Sequence, residues 1–199
     1  MLRELAQDLV DIIFDWGYVG IFLLMAVESS FIPFPSEIVL IPAGYLASKG
    51  DMSISMIMIS GIGGSMLGAF VNYYLALTLG RKVLIKFGKY FFIKESTLDN
   101  MDDYFKKHGA ISTFIGRLIP GIRQLISVPA GISRMNLGVF TFYTALGASI
   151  WAFILVMLGY LIGENQELID TYLKQITVIV LFLLFLLGFW YYRREKVKV

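Results

Sequence analysis

Long apolar stretches broken by short polar ones run the length of this 199-residue chain, and their spacing predicts helices that cross a membrane. Residues 53–80, 135–163 and 176–192 are apolar over the roughly 20 residues that a helix rising 1.5 Å per residue needs to traverse a hydrocarbon core about 30 Å thick. The last of them carries no charge. Two other apolar stretches, 17–47 and 110–133, contain prolines and ionisable residues. The first has 31 residues, too many for one crossing and short of the about 40 that two crossings and a turn require. It is interrupted around Phe31-Ile32-Pro33-Phe34-Pro35, which predicts an outer re-entrant hairpin of two half-helices. Residues 110–133 are read as an inner hairpin of the same kind. An ordinary span there would be separated from the next helix by Arg134 alone.

Two amphipathic segments complete the layout. Leu2, Leu5, Leu9, Ile12, Ile13 and Trp16 recur at helical spacing, as in a helix lying in the membrane interface. Over 95–108, Ser96 and Asp99 resemble a capping box, Leu98, Met101, Tyr104 and Phe105 form an apolar face, and Gly109 is expected to end the helix. The fold class that results is an all-α polytopic membrane protein forming one membrane domain over 1–199. It comprises an inverted repeat of two re-entrant hairpins, about three full transmembrane helices and interfacial amphipathic helices.

Composition agrees. The chain is 57% hydrophobic and 16% charged, against about 45–50% and about 25% in soluble domains. Without cysteine there are no thiolate metal sites, disulfides or cysteine nucleophiles, and one histidine makes no two-histidine metal site, so no metal or cofactor is expected. A net charge of +2 gives no reason to expect nucleic acid.

The placement of the charges says more than their sum. Positive residues gather on the cytoplasmic side of membrane proteins. Arg193, Arg194, Lys196 and Lys198 put the C-terminus inside, along with Arg134, Lys106, Lys107 and the cluster from Arg81 to Lys94. Arg3, Lys49 and Lys174 fall outside, as does the acidic N-terminus with Asp8, Asp11 and Asp15. That N-terminus is not expected to be a cleaved signal peptide, being acidic and followed by no small-residue cleavage site. Arg117 and Arg123 are left over, both inside the second hairpin.

A shift of 87 residues lays one hairpin on the other without a gap. Ile32-Pro33 falls on Ile119-Pro120 and Pro42-Ala43-Gly44 on Pro129-Ala130-Gly131, with five of the thirteen positions from 32 to 44 identical. Hairpins entering from opposite faces, each followed by a long helix, make an inverted repeat, the usual architecture of secondary transporters with a site near the midplane. The copies differ in their charges: Glu28 and Glu37 in one, Arg117 and Arg123 in the other. Each such residue costs about 2.5–3.5 kcal/mol at the centre of a span, so all four need a partner, water or a purpose. Two acids facing two bases could form a static clasp. Alternatively, the guanidinium forks bind phosphate oxygens while the carboxylates, less readily ionised when desolvated, carry protons.

The run Phe114-Ile115-Gly116-Arg117-Leu118-Ile119-Pro120-Gly121-Ile122-Arg123, with Pro129-Ala130-Gly131, Met135 and Phe140 beyond it, resembles the Gly-Arg-x-x-Pro-Gly-x-Arg signature of the bacterial DedA proteins. Their shared region is also called the SNARE-associated or VTT domain. Glu28, Pro33-x-Pro35-Ser36-Glu37 and Ala43-Gly44 resemble the same family, which often has Gly where this chain has Ser36. The resemblance covers residues 17–163. It implies a multi-pass lipid transporter or flippase of the bacterial inner membrane, not an enzyme, which returns undecaprenyl phosphate or moves phosphatidylethanolamine and draws on the proton motive force. Carried over by position, Glu28 and Glu37 match the family's essential acids and Arg117 and Arg123 its essential arginines.

These readings converge on Arg117 and Arg123 as ligands of a lipid phosphate, Glu28 and Glu37 as proton-coupling groups, and Ser36, Asn72, Tyr73 and Gln124 as candidates to line the pathway. The partners are then a membrane lipid and protons, and a homo-oligomer is compatible with them. A proton-coupled ion or drug antiporter serving membrane homeostasis would use the same acids without phosphate. Gly61, Gly63, Gly64 and Gly68 lie within an apolar helix and are expected to serve helix packing, not nucleotide binding. His108 belongs to a solvated or headgroup-facing stretch, and Phe189, Trp190, Tyr191 and Tyr192 to an interfacial belt.

Overall fold

The computed structural model describes residues 2–30, 35–80, 95–162 and 165–196. The expected bend at 31–34, the basic cluster at 81–94 and the side chains of the apolar faces at 2–13 and 98–101 lie outside the described residues. The described chain is helical: α1 (Leu2–Glu28), α2 (Glu37–Lys49), α3 (Ile54–Leu75, continued by a π-helical turn Ala76–Gly80), α4 (Glu95–Leu118), α5 (Ser127–Ile132), α6 (Leu137–Ile162) and α7 (Gln166–Lys196). Among the described residues, three segments are long and apolar enough to cross a membrane, Ile54–Gly80, Leu137–Ile162 and Thr171–Tyr191, as in a multi-pass membrane protein.

Local chemistry accounts for the interruptions and for two departures from the expected boundaries. α1 is broken at Gly17, whose backbone (φ 55°, ψ −129°) is open to glycine and strained for other residues, so the amphipathic segment and the first arm meet where the hairpin was expected to begin. Gly109 does not end a helix. α4 runs through it to Leu118, because Gly109 keeps ordinary helical geometry and its bare Cα lets Met135 approach, at a cost in helix propensity of only about 1 kcal/mol. The 95–108 segment and the first part of the 110–133 stretch are therefore one helix. α7 likewise begins well before residue 176, with the side chain of Asn165 accepting the amide hydrogen of Leu168 at 3.1 Å in the manner of an N-cap.

The helices pair in the same way in both halves of the chain. α1 packs on α3 and α4 on α6, while the short second arms exchange partners: α2 lies on α6 and α5 on α3. Glycines make the exchanged contacts possible. A Cβ at Gly44 of α2 would collide with the carbonyl of Val156, one at Gly159 of α6 with the carbonyl of Ile41, and one at Gly131 of α5 with the carbonyl of Tyr73. The two copies of Pro-Ala-Gly thus occupy equivalent crossings, with Ala43 and Ala130 both fully buried. Gly64 and Gly68 do the same for α3 against the backbone of α1 at Phe22 and Ala26. Ile21, Leu40, Ile57 and Leu155 centre the larger core, and Tyr73, Ala130 and Phe140 the smaller. α7 lies at the flank and exposes Val178, Phe182 and Phe185, an arrangement suited to lipid contact.

Glycine replacement tests these crossings. Gly159→Ala is expected to lower thermal stability in detergent by an amount typical of overpacking, about 1–3 kcal/mol, because its neighbours are backbone atoms. Gly63→Ala, which meets only the ring of Phe22 at 3.3 Å, should be nearly neutral. Equal melting temperatures for the two variants would refute the close crossing of α2 and α6.

Candidate functional site

The two breaks in the helical arms bring the charged residues together. α1 ends at Glu28, and Ser29 and Ser30 continue it by a hydrogen-bonded turn. On the other side, Pro120 cannot donate the next helical hydrogen bond, and Gly121 with φ 80° reverses the chain. A run of turns then leads to α5, with the amide of Arg123 held by the carbonyl of Ile119 at 3.1 Å and that of Ile126 by Ile122 at 3.0 Å. Arg123 is thereby aimed at the end of α1.

Glu28 is the hub. A terminal nitrogen of Arg123 donates to its Oε1 at 2.7 Å, the side-chain amide of Gln124 donates to the same oxygen at 3.1 Å, and the hydroxyl of Ser29 donates to Oε2 at 2.8 Å. The acid is 2% exposed and the Arg123 side chain 11%. Behind this pair, the Asn72 amide nitrogen donates to the carbonyls of Ser29, Ser30 and Gln124 at 3.1, 2.9 and 3.2 Å, tying both junctions to α3. The guanidinium of Arg123 also lies over the ring of Trp151, 5.8 Å from its centroid.

Arg117 comes from the last turn of α4, where a cation complements the helix dipole. It is buried, and it donates to the hydroxyl of Ser127 at 3.0 Å while its Nε has no partner. Glu28, Ser29, Ser65, Arg117, Arg123 and Trp151 line a small chamber of about 20 Å³, room for about one water molecule by volume. A second, open cavity of about 500 Å³ is lined by Pro35, Glu37, Pro120, Gly121, Arg123, Gln124 and Leu173. Arg123 borders both spaces.

The predicted residues are therefore distributed unequally. Glu28, Arg123, Gln124 and Asn72 form one hydrogen-bonded unit, and Arg117 faces it across the chamber. Glu37 stands half-buried at the start of α2, in the open cavity, with no ion pair among the described residues. Of the two acids and two bases, only Glu28 and Arg123 pair. Ser36 is fully buried, its hydroxyl without a partner. Tyr73 points elsewhere: it donates to the carbonyl of Met135 at 2.6 Å and packs on Phe140. Ser65 and Trp151 were not singled out from the sequence. Their only signal there is a polar atom inside an apolar span, and the indole nitrogen of Trp151 is buried without a partner.

The VTT domain matches residues 34–161. The uncharacterized membrane protein YkoX of Bacillus subtilis (strain 168) is 41% identical over 192 residues, covering 94% of this chain and 85% of its own length. An alkaline phosphatase-like protein of Lactococcus lactis subsp. cremoris is 33% identical over 199 residues, covering 96% and 92%. Undecaprenyl phosphate transporter A of Staphylococcus aureus is 32% identical over 201 residues, covering 96% and 99%. No solved structure matches the chain. The domain match takes in Glu37, Asn72, Arg117, Arg123 and Gln124 and begins just after the junction at Glu28, and the chain belongs to the DedA family of VTT-domain membrane proteins.

Proposed function

We propose that this protein carries a phosphate-bearing lipid across the bacterial inner membrane, its headgroup passing between the two junctions while the hydrocarbon chain stays in the bilayer. Undecaprenyl phosphate is the first candidate, since a phosphomonoester suits two guanidinium forks and the staphylococcal relative is named for that cargo. Phosphatidylethanolamine is the second, its amine complementing Glu28 or Glu37. The observation that carries this reading is the position of Arg123, which borders both the small chamber and the open cavity while its guanidinium is held by Glu28.

Phosphate and carboxylate compete for that one guanidinium. A headgroup arriving in the open cavity draws Arg123 away from Glu28, and the carboxylate, losing its cation in a site removed from water, takes up a proton. Arg117, with its Nε unpartnered, receives the phosphate once the chamber widens. Glu37 is the acid at the mouth and relays the proton. The exchanged pairing of short arms in the two halves supports an inverted repeat of two re-entrant hairpins, and the charge distribution supports an external N-terminus and a cytoplasmic C-terminus. Either half can then open around the same charges.

In proteoliposomes, Arg123→Ala, Arg117→Ala and Glu28→Gln are each expected to slow undecaprenyl phosphate movement at least about thirtyfold, corresponding to about 2 kcal/mol for a lost buried charge contact. Wild-type rates in Arg123→Ala would remove the arginine from the site, and faster movement of phosphatidylethanolamine by the wild type would exchange the cargo. The observed ion pair also favours a rival reading, a purely structural clasp. The double reversal Glu28→Arg with Arg123→Glu separates the two, since a clasp keeps both stability and function whereas a carrier keeps at most its stability. For orientation, the chain has no native cysteine. In intact cells an impermeant maleimide should label Ser48→Cys directly and Lys196→Cys only after permeabilisation, and the opposite pattern would invert the topology.

A further inference from the structure

The geometry points to a channel for the hydrocarbon chain of the transported lipid: the groove between α4 and α7, opened by Gly188 and ending beside the cavity at Arg123. This inference rests on the proposed lipid-carrier function and deepens it by assigning a place to the part of the lipid that the charged site does not hold.

The two helices meet at one end, where Nδ1 of His108 lies 3.0 Å from the hydroxyl of Tyr191 and the rings pack edge to face. Between them lies a groove of about 460 Å³ lined by Ile115 of α4, by Ile119 just past its end and by Leu181, Leu184, Phe185 and Gly188 of α7, without an ionisable group. The wall of the groove from Leu181 to Phe189 rises about 12 Å, so the groove has a mean cross-section of about 40 Å², wide enough for one hydrocarbon chain and too narrow for a helix. Its far end is Ile119. The next residue, Pro120, already lines the open cavity with Arg123 and Glu37, so the apolar groove ends beside the polar mouth.

Gly188 supplies an independent reason to expect an occupant. Gly44, Gly159 and Gly131 are glycines because backbone presses on them, and Gly17 and Gly121 because their φ is positive. Gly188 meets neither condition: its φ is not positive, and a Cβ built on it would find nothing within 4 Å. A glycine inside a helix is less favourable than alanine by about 1 kcal/mol, and packing within this chain gives nothing in return. What it leaves is space on the groove wall.

The groove adds little affinity, because lipid tails are as apolar as leucine and the chain gains no burial by leaving the bilayer for it. Its effect is positional. The chain is kept beside α7 while the headgroup passes the two junctions, so obstruction acts on transport of long-chain lipid and leaves phosphate recognition intact.

Two probes share a phosphomonoester and differ in length, undecaprenyl phosphate and geranyl phosphate. In proteoliposomes, Gly188→Trp is expected to slow the long probe about tenfold, equivalent to about 1.4 kcal/mol, and to leave the short one at the wild-type rate. Because the chain lacks cysteine, Gly188→Cys places a unique thiol in the groove. Its reaction with N-ethylmaleimide should slow in the presence of undecaprenyl phosphate and not of geranyl phosphate. Unhindered long-probe transport by folded Gly188→Trp overturns the groove, as does a thiol that undecaprenyl phosphate leaves unprotected. Should Gly188→Trp fail to fold, thiol protection decides alone. Loss of transport in Arg123→Ala beside full activity in Gly188→Trp refutes only the groove, whereas wild-type protein that moves neither probe refutes the carrier reading and the groove with it.

Discussion

A carboxylate and a guanidinium withdrawn from water in a membrane protein are tolerable only together, and the contact between Glu28 and Arg123 imposes that condition on everything around it. It requires α1 to end where it does, so that Glu28 projects from its last turn. The chain after Pro120 must reverse, or Arg123 would continue up the α4 axis. It also requires neighbours for the remaining lone pairs, which Ser29 and Gln124 supply. Asn72 then fixes both junctions to a third helix through the backbone carbonyls of Ser29, Ser30 and Gln124.

Broken helices are stable at membrane depth only where protein covers the freed backbone. Here the cover is reciprocal, since the short arm of each half lies on the long helix of the other, at crossings too tight for any Cβ. This explains why the repeated element contains Ala-Gly and is not merely apolar: alanine and glycine permit backbone contact. The arrangement also separates the rigid from the adaptable parts. The crossings of α2 on α6 and α5 on α3 offer no slack, whereas Arg117 and Trp151 carry buried polar atoms without partners among the described residues and line the small chamber. Such a cluster is poised for a second arrangement in which those atoms are satisfied.

α7 stands outside this exchange. It contributes Leu173 to the open cavity and one wall to the groove beside α4, while most of its surface faces away from the protein. A helix held so lightly can bound a lipid pathway without interrupting it.

Much of this was legible in the sequence, for reasons that are local. Spans follow from hydropathy over about 20 residues, breaks from proline and positive-φ glycine, and the kind of chemistry from charges too costly to lie in a membrane without purpose. Glu28, Arg123, Gln124 and Asn72 could all be named as candidates before their geometry was known. Other features depend on what lies across the fold. Gly109 looks like a helix stop until Met135 is seen packed against it, and Tyr73 looks like a pathway residue until its hydroxyl is found on the Met135 carbonyl. Four charges allow several pairings, and only the packing of the two junctions selected Glu28 with Arg123, residues 95 apart in the chain, leaving Glu37 in the open cavity. Nor does periodicity distinguish Gly188 from Gly159. The sequence by itself determined which segments are apolar enough to cross a membrane, where helices break and which charged residues lie beside the breaks, because those depend on neighbours along the chain. The tertiary structure decided which charges meet, which glycines are pressed and which stand open, because those depend on neighbours in space.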